Sequence, residues 1–275
     1  MSRRMGLLGA KSGVSPILNN NEWDVISAVS TAGEGENYWS VGDRKEIILD
    51  GTVGNLTLSN FTTCAFIIGF NHNSSVEGSG RIHFQLAKTA LSGGTDIAFC
   101  DSSYNSSVSA TGYFSMNSSN TNSGGWASSQ MRTNICGTSL TSYSGTIIAV
   151  IPEALRAVLK SVTKYTDNTG GGGGSIASRV TATTDYFFLL SEYEVFGSIT
   201  YANTNEASYQ AQYAYYSARN SKVKYNHSET STAVYWWLRS TRAIGSLTFV
   251  RALDSGAVDY YNVRYSYGFA PGFCV

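Results

Sequence analysis

With 275 residues, 42% of them hydrophobic and 13% aromatic, the chain can bury a sizeable core, which excludes a disordered polypeptide. Nineteen Lys plus Arg balance nineteen Asp plus Glu, so no net field draws it to nucleic acid or an anionic membrane. Abundant Ser, Asn, Gly and Tyr match the chemistry of antibody contact surfaces, where Tyr supplies rigid area and the small polar residues adapt hydrogen bonds.

Arg3 and Arg4 precede an apolar run that Lys11 ends, shorter than the roughly 7 to 15 residues of a secretory core. No stretch reaches transmembrane length, so a soluble chain without its own export signal and without membrane insertion is expected. Residues 1–20 lack periodicity and read as an arm or a connection to a larger assembly; no linker divides the rest, so residues 21–275 are expected to form one domain.

Asn21 is a good N-cap, and Trp23, Ile26 and Val29 predict a helix over 22–32. The stretches Tyr38 to Leu49, Leu56 to Leu58 and Cys64 to Phe70 read as strands, and Ile82, Phe84 and Leu86 alternate as in a strand with one buried face. Residues 101–125 are Ser, Asn, Thr and Gly-rich, predicting a polar surface excursion without a core contribution. Pro152 with Leu155, Val158, Leu159 and Val162 predicts the clearest helix of the chain. The run Gly170 to Gly174 reads as a mobile loop; the Lys and helix start of a phosphate cradle do not follow it.

Tyr186 to Leu190 reads as a buried strand, and Ala207 to Ala218 as a helix whose Tyr209, Tyr213 and Tyr216 face the core. Val234 to Leu238 is a buried strand, Leu247–Leu253 and Ala257–Val263 form a hairpin about Asp254, Ser255 and Gly256, and a last strand runs through Phe269 to Val275. Few helices and many short strands give the α+β class.

Cys64, Cys100, Cys136 and Cys274 include no CxxC pair, which argues against zinc or thioredoxin-like chemistry; buried free thiols are expected, with one disulfide left open among three pairings. His72, His83 and His227 lie in separate elements and read as structural histidines. Glu192 and Glu194, two apart, would face opposite ways in a strand, which does not support acid/base pairing; one is expected to be buried against Arg239. No catalytic residue, cofactor or metal ligand is assigned, and no carbonyl-ligand motif for calcium-dependent sugar binding is present.

The strings Tyr38-Trp39-Ser40-Val41-Gly42-Asp43, Gly69-Phe70-Asn71-His72, Gly124-Gly125-Trp126, Trp236-Trp237-Leu238-Arg239-Ser240 and Gly268-Phe269-Ala270-Pro271-Gly272-Phe273-Cys274-Val275 together resemble one family. It is the C-type-lectin-fold proteins of bacteria, phages and prophages that include variable proteins of diversity-generating retroelements. The resemblance covers about residues 21–275 and implies a C-type-lectin-like fold of the formylglycine-generating-enzyme-like subtype, with short strands and two or three helices. It also implies a variable surface between the last two strings, about residues 241–267, that binds host-cell protein or glycan, as in phage receptor-binding tail proteins. Virion placement in a phage tail, assembly through the arm and a homotrimer follow from that setting; a bacterial surface or secreted adhesin and a structural virion protein without a receptor role are the alternatives.

Such retroelements mutate adenines, and an Asn codon altered at its first two bases cannot become Lys, Glu, Gln, Met or Trp. Residues 241–267 contain none of these five types, which number 30 in the chain. Trp236, Trp237, Phe249, Phe269 and Phe273 are expected to anchor the core while their neighbours face outward. The contact residues expected are Thr241, Ala243, Ile244, Ser246, Leu247, Arg251, Leu253, Asp259, Tyr260, Tyr261, Arg264, Tyr265 and Tyr267, with the tyrosines and arginines foremost. Formylglycine-generating catalysis, which shares the broad fold, needs a reactive cysteine pair, whereas Cys274 lies in an apolar string, so no enzyme activity is expected.

Overall fold

A computed structural model describes residues 13–105 and 110–275. Its centre is a five-stranded antiparallel sheet of β1 (Arg44–Val53), β2 (Leu56–Phe70), β3 (Ile82–Lys88), β13 (Gly272–Cys274) and β7 (Phe187–Phe188), in that order. The last strand of the chain is thus inserted beside one of the first. Short sheets flank it: β4 (Ile97–Ala98) with β8 (Lys224–Asn226) and β9 (Glu229–Val234), and β5 (Val162–Asp167) with β6 (Val180–Asp185). A separate three-stranded sheet runs β10 (Trp236–Thr241), β11 (Thr248–Ala252), β12 (Val258–Asn262), with β12 outermost. The helices are short: α1 (Trp23–Thr31), α2 (Gly35–Tyr38), α3 (Ser74–Glu77), α4 (Ile147–Val150), α5 (Glu153–Arg156), α6 (Glu192–Phe196) and α7 (Ala214–Ser217). The class is α+β, as composition and pattern require.

The anchors expected of the C-terminal half hold. Trp236, Trp237, Phe249, Phe269 and Phe273 are all fully buried. The two indoles also satisfy their N–H groups, Trp237 Nε1 donating to Phe114 O at 2.9 Å and Trp236 Nε1 to Lys222 O at 3.0 Å. The hairpin β11–β12 forms where alternation and the Asp254-Ser255-Gly256 turn place it.

Several expectations are corrected. The first helix starts after Glu22, and Asn21 does not cap it: its amide donates backward to Ser15 O at 3.0 Å and Ile17 O at 2.9 Å, fastening the incoming chain. Residues 13–20 therefore pack on the domain, with Leu18 buried, while residues 1–12 of the expected arm lie outside the described residues.

Strand β3 is buried on both faces, because its polar side chains find partners inside: Gln85 donates to Ala270 O at 3.0 Å and accepts from Tyr216 OH at 2.6 Å. The helix expected after Pro152 stops at Arg156, and Val162 opens β5. The Arg156 guanidinium donates to the carbonyls of Ile148 and Ile151, both at 2.9 Å, and Lys160 N donates to Cys274 O at 2.9 Å, which draws the chain into a strand path. The tyrosine-rich 207–218 segment is a 3-10 turn, Thr204–Ser208, and the single turn α7; Tyr213 and Tyr216 are core, whereas Tyr209 stays partly exposed against Tyr165.

The polar run 101–125 does contribute to the core through Phe114, and its Asp101 carboxylate accepts from Ser103 N, Phe114 N and Ser266 Oγ at 2.7 to 2.9 Å. Residues 106–109 of that run lie outside the described residues. Nor is the glycine run free. All five glycines have positive φ, and they are tied by Gly170 N to Asp167 Oδ1 at 3.0 Å, Gly171 N to Asn122 Oδ1 at 2.7 Å and Gly174 N to Ala243 O at 2.9 Å.

Candidate functional site

The three-stranded sheet grades from core to solvent. Strand β10 is buried throughout, β11 is buried except at Thr248, and every residue of the edge strand β12 is half-buried. Cross-strand register pairs Arg251 with Asp259, Val250 with Tyr260, Phe249 with Tyr261 and Thr248 with Asn262. Variation of β12 side chains can therefore reach solvent while β10 and β11 hold the framework.

The expected contact residues divide accordingly. Ile244, Ser246 and Leu247 are exposed in the β10–β11 turn, Leu253 is half-buried at the far end of the hairpin, and Asp259, Tyr260, Tyr261, Arg264 and Tyr265 are half-buried along β12 and the turn after it. Thr241, Ala243, Arg251 and Tyr267 are buried instead, and their place is beneath the surface. Asp259, Tyr260, Tyr261 and Tyr265 come together with Thr248 and Asn262 around an open cleft of about 460 Å³. Thr248 and Asn262 were missed, although period-two counting from Tyr260 reaches Asn262 and the register then reaches Thr248.

Arg251 organises this surface from below. Its Nη2 and Nε donate to Asp259 Oδ2 at 2.7 and 3.1 Å, and its guanidinium lies 4.4, 4.2 and 4.7 Å from the ring centres of Tyr235, Tyr261 and Tyr267. Tyr261 meets Tyr265 edge to face at 4.5 Å, and Tyr267 packs on Trp237 at 5.0 Å. Tyr260 is held separately, with Arg242 3.6 Å over its ring and Tyr201 edge-on at 4.8 Å. These contacts restrict the exposed rings before any ligand arrives.

The turn between β10 and β11 is fixed by Asn122, a fully buried residue of the polar run. Its Nδ2 donates to Gly245 O at 2.6 Å and Thr248 O at 2.9 Å, while Asn122 N donates to Ser246 O at 2.9 Å. Through Gly171 N on its Oδ1, the same side chain joins the glycine loop to the turn.

Beneath the sheet lies a second polar constellation that sequence reasoning did not assemble. Glu192 and Glu194 sit on α6, not a strand; Ser191 and Glu194 form a capping box, and the Glu192 carboxylate accepts Thr200 N and Ala202 N at 2.6 and 2.8 Å. Glu194 is the glutamate buried against Arg239, as expected, with Arg239 Nη2 donating to its Oε1 at 2.9 Å and Nη1 to its Oε2. Lys164 Nζ donates to Glu194 Oε1 at 2.9 Å, Glu77 Oε2 at 2.6 Å and Tyr213 OH at 2.9 Å. Burial alone would raise the Glu194 carboxyl, but Arg239 and Lys164 outweigh it and hold it well below the usual range. Burial pushes Glu77 up to about 7 against the opposing pull of Lys164.

His72 and His83, expected in separate places, meet here at 5.5 Å between ring centres. Burial, reinforced by Lys164, lowers His72 to about 3 and takes His83 well down too, so both are neutral at pH 7. The Cys274 sulfur lies 3.3 Å from His83 Nδ1, but burial raises its thiol well above the ordinary range, the opposite of an activated nucleophile. His72, Glu77 and Glu194 bring three ligand atoms close enough for a metal ion, yet the Lys164 ammonium already bridges the two carboxylates. Two carboxylates and two cations match in charge without a metal. All four cysteines are buried free thiols.

The family described as a domain of unknown function, DUF6273, matches residues 105–275, well over half of the chain. The chain belongs to the DUF6273 family. The DUF6273 match contains the three-stranded sheet, Asn122, α6 and Arg239, while β1 to β3, of which β3 pairs with β13, precede it. No curated protein and no solved structure matches the chain. Among the described residues no helix is long and apolar enough to cross a membrane.

Proposed function

We propose that this DUF6273 protein is a ligand-binding protein of C-type-lectin-like fold, in the formylglycine-generating-enzyme-like subtype, acting as a phage or prophage receptor-binding tail protein. Its half-exposed β12 face, diversified by a retroelement, contacts host-surface protein or glycan. The observation that carries this reading is the cleft of Asp259, Tyr260, Tyr261, Asn262 and Tyr265 on an edge strand, while the other two strands of its sheet are almost wholly buried. Tyrosine and Arg are the residues that dominate interface energies, and here they are preordered on a rigid base. Binding, not catalysis, also fits the raised Cys274 thiol and the sealed ion cluster, neither of which meets solvent.

The test is saturable retention of the fluorescently labelled full chain on a panel of bacterial cells. A variant carrying Tyr260→Ala, Tyr261→Ala, Arg264→Ala and Tyr265→Ala, checked for folding by its thermal transition, should lose that retention. Equal retention of the folded variant would contradict a binding role for this face.

A further inference from the structure

A second cleft, of about 370 Å³, opens on the other side of the turn that ends β12. Its lining side chains among the described residues are all uncharged and include the amides of Asn55, Gln130 and Asn134, the hydroxyls of Thr111 and Ser118, and Tyr113, a residue 48% exposed. Hydrogen bonds tie β12 and the turn after it to the segment that lines the second cleft. Asn262, which lines the first, donates to Asn120 Oδ1 at 2.7 Å, and Arg264 Nε donates to Thr111 Oγ1, in the second, at 3.1 Å.

We propose that this second cleft is a subsite for a neutral saccharide unit, so that the ligand of the β12 face continues across the turn as an uncharged glycan; this rests on the reading of the chain as a binding protein. Each sugar hydroxyl donates and accepts at once, and a carboxamide presents an N–H and a carbonyl side by side, so the two match without any charge. An exposed tyrosine ring offers the flat apolar surface that the C–H face of a sugar needs. An anionic or cationic ligand would instead require a counter-charge, which this lining does not offer.

The polar groups are also held before binding. Asn55 Nδ2 donates to Ser102 Oγ at 2.9 Å, Gln130 Nε2 donates to Tyr113 O at 3.5 Å, and the Arg264 bond fixes Thr111. At Gly112 an added Cβ would stand 2.6 Å from Ser103 Cβ and 3.0 Å from Ser266 Cβ, so the segment beside the cleft is closely packed and takes glycine there. The volume falls in the small-ligand range of about 300–1,000 Å³.

The experiment is an array of neutral hexose and N-acetylhexosamine oligosaccharides beside sialylated and sulfated ones, read with the full chain displayed on beads to offset weak single-site affinity. Retention on neutral glycans is expected, insensitive to added salt and weakened about tenfold or more by Tyr113→Ala or Gln130→Ala, the loss that corresponds to roughly 1.4 kcal/mol. Tyr113 is half exposed, so its replacement leaves the core intact, and a thermal transition confirms this. Retention only on charged glycans, retention on none, or neutral-glycan binding that both substitutions spare would overturn the subsite. Binding lost with Tyr260→Ala but kept with Tyr113→Ala would place the sugar in the first cleft, removing this subsite while leaving the binding role intact.

Discussion

Arg251 and Asp259 face each other across the β11–β12 ladder, and the guanidinium that donates to Asp259 Oδ2 at 2.7 Å is also packed among the rings of Tyr235, Tyr261 and Tyr267. One buried cation thus ties the edge strand to its neighbour and packs against the half-buried ring of Tyr261. Arg251→Met keeps the length of the side chain but removes both the pairing and the attraction to the rings. A stability loss of about 2 kcal/mol is expected in urea unfolding, with weaker retention on any target of the face, and Arg251→Lys should fall between the two. Unchanged unfolding in Arg251→Met would show that apolar packing alone holds the face.

Asn122 makes the corresponding link at the other end of the sheet. Asn122→Ala removes side-chain bonds to Gly245 O, Thr248 O and Gly171 N together. Net contributions near 1 kcal/mol per bond predict a loss of about 2–3 kcal/mol. The same change should speed amide hydrogen exchange in residues 243–248 and 170–174 more than elsewhere. Uniform exchange across the chain would contradict the assignment of Asn122 as the joint between loop and turn.

Glu194 separates Arg239 from Lys164 in the closed cluster. Glu194→Gln leaves both cations buried with one carboxylate between them, so a loss of about 3–5 kcal/mol is expected, larger than for any exposed ion pair. Circular dichroism during urea unfolding reads it; a loss below about 1 kcal/mol would mean that water reaches the cluster.

Glu206 provides a pH signature. Burial raises its carboxyl from the ordinary 4.5 to about 7, although Asp167 N, Ser240 Oγ and Gln210 Nε2 all donate to it. Between those values the folded protein holds a proton that the unfolded chain has released, so stability falls as pH rises through the window, by about 3 kcal/mol in total. Below the lower value both states are protonated and the contribution is complete. Glu206→Gln carries no such titration, so its stability relative to the parent should improve steadily from pH 5 to pH 8 in urea unfolding. A difference that stays constant over that range would contradict a raised carboxyl.

Strong local patterns carried the C-terminal half. The hairpin is legible because two short runs rich in apolar and aromatic residues flank the Asp254-Ser255-Gly256 turn, and the Trp236-Trp237 pair has no plausible place outside a core. The ion cluster was not legible as a whole: His72, Glu77, Lys164, Glu194 and Arg239 are scattered along the chain and meet only in the tertiary fold, with Cys274 added by β13 returning beside β3. Each polar residue alone looks like surface, and alternation in β3 reads as one wet face until Gln85 and His83 are seen to have buried partners. Asn122 was hidden for the same reason, a buried amide within a stretch of residues that usually form exposed loops. Of the expected contact residues, Arg251 failed to reach the surface because the sequence alone does not say which strand is the edge, and Tyr267 because it packs on Trp237 beneath the sheet's own arginine.

The most direct measurement is the DNA sequence flanking the gene. A reverse-transcriptase gene is expected nearby, with a near-copy of codons 236–275 that differs only opposite template adenines, the differences falling on side chains such as Tyr260, Tyr261, Arg264 and Tyr265 that reach solvent and sparing Trp236, Trp237 and Phe249. Flanking DNA with neither the transcriptase nor the near-copy would contradict diversification of the β12 face.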